Sequence, residues 1–369
     1  MRILQLMDFP VSKIEKYINE GGEYHEHNLY GYMLFKRNGI DITWLAPNHN
    51  NIILKFLQNK LGLGYNVMRL YPQIACLWKC KNYDVIYVPH DMHLLVLSIF
   101  RMLKICRKPI YVVCHFSYNL KFVDSRFKKI YKAIERFFVY NGVDIISFSN
   151  KHILRLAMED FKVPVRHRTY VNWGANVDFF NTKPCQTKSS DYFLAAGNAN
   201  RDYNTLIKAF DNIDCDLKLF TSKTKNEFNC MYMSDRIEFI NLFKFGISGI
   251  VHLREYYQNS IAILIPILES NDVPNGSTVL IEALAVGKPI IITDFETNYI
   301  DVEKERIGFK IKRGDSIGWS NSVKYLLANP KEAKEMGQRA KDLSFNKFNY
   351  KAFADNVLEG LENLCQSVN

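Results

Sequence analysis

The chain has 369 residues, of which 48% are hydrophobic and 23% charged. These values give room for two domains with real cores and exclude a disordered or collagen-like chain. The net charge of +10 is uneven, because residues 101–140 carry ten basic and two acidic side chains, a net +8; an anionic partner is expected there.

MRILQLMDF is too short and too soon polar for a signal peptide. The longest apolar run, Leu94–Cys106, has 13 residues with Arg101 and Lys104 inside it, so it does not span a bilayer. The eight cysteines (Cys76, Cys80, Cys106, Cys114, Cys185, Cys215, Cys230, Cys365) are dispersed. Only Cys76 and Cys80 lie close together, and no second pair completes a zinc spacing. All eight read as reduced core or near-core thiols of a cytoplasmic protein.

In chain order, β-rich apolar runs alternate with helical patterns. Arg2–Met7 predicts a strand, Asn28–Asn38 a helix ending at Gly39, and Ile40–Ala46 the next strand. Asp84–Pro89, Pro109–Cys114 and Asp144–Phe148 follow as strands, with helices between them. A second series has strands at Tyr192–Ala196, Asp216–Thr221, Ile261–Ile267 and Pro289–Thr293. Lys331–Leu364 reads as two helices broken near Ser344–Asn349. Strands alternating with helices imply parallel sheets, and two such series imply two doubly wound Rossmann-like α/β domains. The boundary is expected in Asn172–Asp191, where no period persists. The expected division is 1–173, 174–345, and a C-terminal helix over 346–369 that returns to the first domain.

Open parallel sheets bind ligands beyond the carboxyl ends of their strands, so the loops there are the candidate site, in a cleft between the two domains. The strongest signal is Ile261–Asp294. After the strand comes a polar loop, then Asn275-Gly276-Ser277, then a helix closing at Gly287. Gly276 allows close backbone approach, Asn275 or Ser277 can cap the helix, and its amino end favours phosphate. Glu282 is the only polar side chain in Val279–Val286. A carboxylate there needs a partner: a ribose diol, or a nearby Lys or Arg.

This segment resembles the donor half of GT-B glycosyltransferases, in particular the retaining family 4. In that family a carboxylate of this helix holds the donor ribose, which implies that role for Glu282. The family pattern has a second glutamate eight positions earlier, where this chain has Pro274. Asp272, Asn275 or the N–H groups around Gly276 are the candidates to replace it. Tyr192–Phe210 resembles the first strand, turn and helix of the same half, with Gly197 ending the strand and Arg201 placed to meet a diphosphate. The resemblance therefore implies a donor set of Gly197, Asn198, Arg201, Gly276, Ser277, Thr278 and Glu282. Trp173–Phe180 is similar to the interdomain G-V-D-x-x-F segment, with Ala175 and Asn176 inserted. Gly21-Gly22 resembles the family's glycine loop. His25 and His27 beside it have no further ligand in sequence and read as surface residues. His115, directly after the strand Ile110–Cys114, is the candidate contact to the transferred sugar, with His90 as a second.

Phe127, Ile130, Tyr131, Ile134, Phe137 and Phe138 fall on one helical face, expected to lie on the sheet, while Arg126, Lys128, Lys129, Lys132 and Arg136 face solvent. With the apolar Leu94–Met102 and the charge up to Lys108, this region suggests a surface for anionic lipid headgroups and a peripheral place on the inner face of a membrane.

The leading expectation is a hexosyltransferase-type, retaining enzyme. It would move a sugar from a nucleotide-sugar donor to a polysaccharide or lipid-linked acceptor, with no metal or other cofactor. A GT-B-type sugar-nucleotide epimerase is the second reading. A basic nucleic-acid-binding protein is the third, and no RNA-binding or helix-turn-helix signature supports it. A dehydrogenase is disfavoured, since no G-x-G-x-x-G follows the first strand.

Overall fold

The computed structural model describes residues 1–47, 66–90, 94–115, 125–161, 163–182, 191–228, 234–269 and 275–368. Asp272, Pro274, Cys185 and Cys230 lie outside the described residues, as does most of the polar run after Pro184. Residue contacts divide the chain into two units. The first comprises Met1–Lys16, Asn28–Trp173 and Lys351–Asn369; the second comprises Tyr17–His27 and Gly174–Tyr350.

The first unit holds β1 (Arg2–Leu6), β2 (Asp41–Leu45), β3 (Val85–Val88), β4 (Ile110–Cys114), β5 (Ile145–Phe148) and β6 (Thr169–Tyr170). They form a parallel sheet in the order β2-β1-β3-β4-β5-β6, with Ile3 opposite both Ile42 and Val85. The inner strands β3 and β4 are rich in Val and Ile and are buried along their whole length, as strands covered on both faces are. Cys76, Cys80, Cys106 and Cys114 are packed in this core as free thiols.

The second unit holds β7 (Tyr192–Ala196), β8 (Asp216–Phe220), β9 (Ile237–Ile240), β10 (Ile263–Ile265), β11 (Ile290–Thr293) and β12 (Gly308–Ile311). Its parallel order is β12-β11-β10-β7-β8-β9. Helix Ser277–Val286 is buried on nearly every side, which explains its apolar sequence. The chain ends in helices Pro330–Asn346 and Tyr350–Val368, broken where the sequence indicated.

Three strands escape the sequence pattern. β6 has two residues, and β9 and β12 are buried only at their ends, with a charged side chain in the middle of each run; all three lie at sheet edges. The expected helix over Asn28–Asn38 divides into a tight turn, His27–Leu29, and a helix, Tyr32–Arg37. Gly31 at φ +96° separates them.

The largest departure is helix Arg126–Gly142. Its apolar stripe does not lie on the sheet: Phe127, Ile130, Tyr131, Ile134 and Phe137 are exposed. The helix seats itself instead through Val139, Tyr140 and Val143. It approaches helix Leu95–Met102 so closely at Gly142 that a Cβ there would meet the Ser98 carbonyl oxygen at 2.3 Å. Small residues at the crossing, not the aromatic stripe, choose the buried face. At the neighbouring helix Leu94 and Leu97 are buried, and the exposure lies at its end and beyond it, at Met102, Leu103 and Ile105.

Candidate functional site

In the second sheet the strand order reverses between β7 and β10. Loops diverge there, leaving the crevice in which such sheets bind ligands. The loops after β7, β8 and β10 are tied together at this point. Asn200 Oδ1 accepts from Glu269 N at 3.0 Å, Asp202 N donates to the Pro266 carbonyl at 3.0 Å, and Asn275 Nδ2 donates to the Glu269 carbonyl at 3.2 Å. Asn198 Oδ1 accepts from Thr221 Oγ1 at 3.0 Å and from Ser222 N at 2.6 Å. Asn198 is thus a brace between two loops.

Gly197 adopts φ +125°, and a Cβ there would strike the Arg201 guanidinium at 2.7 Å. Arg201 folds over that turn, with Nε donating to the Ala196 carbonyl at 3.1 Å and Nη1 to the Ala199 carbonyl at 3.0 Å. Its burial pulls its pKa down, although a guanidinium stays charged. Arg201 also forms a β-bridge with Ile267. Ile267 lies close to Gly276, where a Cβ would stand 3.5 Å from its Cδ1 and 2.7 Å from Cγ2 of Ile265. Arg201 and the amino end of helix Ser277–Val286 therefore border the same residue. Neither Asn275 nor Ser277 is the N-cap; Gly276 is, at φ +79°. Gly276 has no side chain with which to cap the first turn, where Ser277 and Thr278 contribute backbone N–H groups.

Glu282 is 3% exposed. Its partners are not the Lys or Arg that the sequence suggested. Tyr257 donates to Oε2 at 3.0 Å, and His27 Nε2 stands 3.4 Å from Oε1. His27 Nδ1 faces the backbone N–H of Asn176 at 3.4 Å, so the ring accepts there and turns Nε2–H to the carboxylate. Asn176, one of the two inserted residues, also caps helix Val177–Asn181. Burial, with the Glu282 charge, pushes Tyr24 up to about 12 and Tyr257 well above its usual value. Both phenols stay protonated at neutral pH.

His25 and His27 are buried, not surface residues. Together with Glu282 they bring three ligand atoms within 4.8 Å of one another, a set that could hold a metal ion. Sequence spacing missed it because the third ligand comes from a distant helix. His25 is held neutral, well below its usual pKa, by burial and then by His27. The glycine loop is anchored to the same unit by Glu23, which pairs with buried Arg254 at 2.5 Å. Arg254 in turn lies over the Phe179 ring at 4.5 Å. Gly22 packs on the Tyr17 ring so tightly that a Cβ would meet it at 2.5 Å, and Gly21 takes φ +90°.

His115 lies in the first unit, at the carboxyl end of β4. Its Nε2 meets the Pro89 carbonyl at 3.3 Å and its Nδ1 meets Ser149 Oγ at 2.9 Å. Burial, then the His90 charge, pushes it down to about 3, so the neutral ring is a hydrogen-bonding group rather than an acid at neutral pH. His90 stacks on it at 5.0 Å, and Tyr30 packs edge-on against it at 5.8 Å. His90 Nδ1 also meets Asp8 at 3.2 Å. Asp8 follows β1 and His90 follows β3, so this pair marks the switch point of the first sheet. Asp8 went unnoticed in the sequence, although its place just after a strand was a signal.

Residues 192–343 match the family described as Glycosyl transferases group 1. No curated protein matches the chain. Among solved structures, sucrose-phosphate synthase from Thermosynechococcus elongatus is similar at 14% identity, with 100% of each chain covered and a TM-score of 0.71. Anabaena HepE in complex with UDP is similar at 11% identity, covering 98% of this chain and 100% of that one, with a TM-score of 0.66. A putative UDP-N-acetylglucosamine 2-epimerase from Listeria monocytogenes is similar at 11% identity, 97% and 94% coverage and a TM-score of 0.60. The fold class is the α/β one expected, with two Rossmann-like parallel sheets of GT-B type.

Proposed function

We propose that the protein is a glycosyltransferase that moves a sugar from a nucleoside-diphosphate donor to a glycan or lipid-linked acceptor. The observation that carries this reading is the arrangement at the second switch point. Arg201 and the amino end of helix Ser277–Val286 both border Ile267 there, and that helix also carries the buried Glu282.

The chemistry follows from charge. As the glycosidic bond to the donor breaks, negative charge grows on the departing diphosphate. A guanidinium and helix N–H groups, already oriented, stabilise that charge without reorganising. Arg201, Gly276, Ser277 and Thr278 take this role. Glu282 keeps lone pairs on both oxygens beyond the one that Tyr257 uses, enough to accept from a ribose diol. Asn275, or Asp272 from the loop before it, stands in for the glutamate absent at position 274. His115 contacts the transferred sugar as a neutral donor or acceptor. The reaction proceeds with retention and without a metal.

The test is a thermal-shift screen against nucleoside diphosphates and their sugars, beginning with the uridine diphosphate found with HepE. Binding to the folded state at a hundred times Kd adds about 2.7 kcal/mol of apparent stability. No shift with any nucleotide contradicts the donor site. Retention is read by NMR of the anomeric product. The similarity to an epimerase supports a second reading, in which the nucleotide sugar is the sole substrate; conversion of the donor to its epimer without acceptor would favour it.

A further inference from the structure

Helix Arg126–Gly142 turns toward solvent the side chains that its pattern would ordinarily bury. Phe127 is 85% exposed and Phe137 57%, with Ile130, Tyr131 and Ile134 between them also exposed. The helix packs against Leu95–Met102, which exposes its last residue, Met102, and is followed by the exposed Leu103 and Ile105. Helix Asn66–Lys79, which packs on that same neighbour, turns Ile74 and Trp78 outward, the latter 79% exposed. Scattered surface hydrophobics are normal, but a five-residue face on one helix, continued on its neighbour, marks a binding surface.

Charge identifies the occupant. Arg126, Lys129, Lys104 and Arg107 are exposed among these apolar residues. The one acid of helix Arg126–Gly142, Glu135, is buried, and residues 101–108 contain none. A second copy of the chain would meet this face through a two-fold, setting like charges against each other, and the cores of protein interfaces are depleted in lysine. An anionic bilayer answers both features at once, with hydrocarbon for the aromatic stripe and phosphates for the basic residues.

We propose that this face docks the protein on an anionic membrane. Helix Arg126–Gly142 lies in the plane of the interface, with Phe127, Ile130, Ile134 and Phe137 below the headgroups. Tyr131 sits at headgroup level, as amphipathic rings do. Lys104, Arg107, Arg126 and Lys129 meet the phosphates. The docking is in-plane and reversible; among the described residues no helix is long and apolar enough to cross a membrane. This goes beyond the donor assignment and does not depend on it.

The test is co-sedimentation of the full chain with vesicles of phosphatidylcholine alone, or mixed with phosphatidylglycerol, at low and high salt. The parent is expected to bind the mixed vesicles at low salt and to weaken at high salt. The variant Phe127→Ser/Ile130→Ser/Phe137→Ser, altered only at exposed positions, is expected to bind at least tenfold more weakly at unchanged Tm, about 1.4 kcal/mol. Lys104→Glu/Lys129→Glu is expected to lose the preference for phosphatidylglycerol. Both variants should bind uridine diphosphate in free solution as the parent does, which separates failure of docking from failure of the donor reading. The proposal is overturned if the parent ignores both vesicles, if the serine variant binds like the parent, or if sedimentation velocity shows a parent dimer that the serine variant abolishes.

Discussion

Tyr257 donates its phenolic hydrogen to Oε2 of Glu282 at 3.0 Å. Both side chains are buried, and the Glu282 carboxylate is the first charged neighbour to raise the Tyr257 pKa after burial itself. A hydrogen bond to a charged group is worth about 1.5–3 kcal/mol. Tyr257→Phe is expected to lower the unfolding free energy by about that amount, read from urea denaturation with an unchanged slope. A variant as stable as the parent would show that the bond contributes nothing.

Glu282→Gln keeps the shape of the side chain and removes its charge. If the carboxylate accepts from the ribose, nucleoside-diphosphate affinity should fall by about tenfold to a hundredfold, the loss of one charged hydrogen bond. Calorimetry on a folded variant checks this. Unchanged affinity would leave Glu282 with a purely structural part.

Arg201→Ala is expected to reduce kcat by about a hundredfold or more, the scale for removing one group that stabilises developing charge. The ground-state affinity for the intact donor should fall less. A variant that loses affinity and turnover in the same proportion would place Arg201 in uniform binding instead.

Transfer is expected to persist in EDTA. The buried set His25, His27 and Glu282 makes this a real test, because these residues could hold a divalent ion. Tyr257 already occupies one position on Oε2 of Glu282, and His27 Nε2 stands 3.4 Å from Oε1. Activity that vanishes with EDTA and returns with magnesium, manganese or zinc would assign the cluster to metal.

Acid should destabilise the fold through its buried histidines. Burial pushes His115 down to about 3 and His167 to about 4, and holds His25 well below its usual range. In the unfolded chain each titrates near about 6.5. Below that pH the unfolded state binds protons that the folded state refuses, so stability falls as pH falls. Each histidine contributes up to about 1.4 kcal/mol per pH unit, down to its folded pKa. The histidine contribution to the urea midpoint should be level above about pH 7 and decline from about pH 6.5 downward. A midpoint constant across that range contradicts the buried neutral state.

The parallel sheets were legible because buried strands such as Ile110–Cys114 are unbroken apolar runs between turn signals. The donor helix was legible because Gly276, Glu282 and Gly287 fall within a dozen residues. What sequence period does not carry is the identity of a distant partner. It finds a stripe on helix Arg126–Gly142 but not which side the sheet lies on; that depended on Gly142 meeting Ser98. Nor does it join His27 to Glu282, since the two are brought together only by the folded second unit.

The division of the chain also orders its synthesis. The second unit includes Tyr17–His27, made well before the rest of it, and the first unit includes Lys351–Asn369, made after all the other residues of either unit. At about 5–20 residues per second, roughly 10–35 s separate emergence of the first sheet from that of the helix that completes its unit. Through that interval the strands β1–β6 have their sheet partners but lack one of their covering helices. The nascent first half should therefore be the stage most dependent on chaperones, and translation stalled before Lys351 should leave it sensitive to protease.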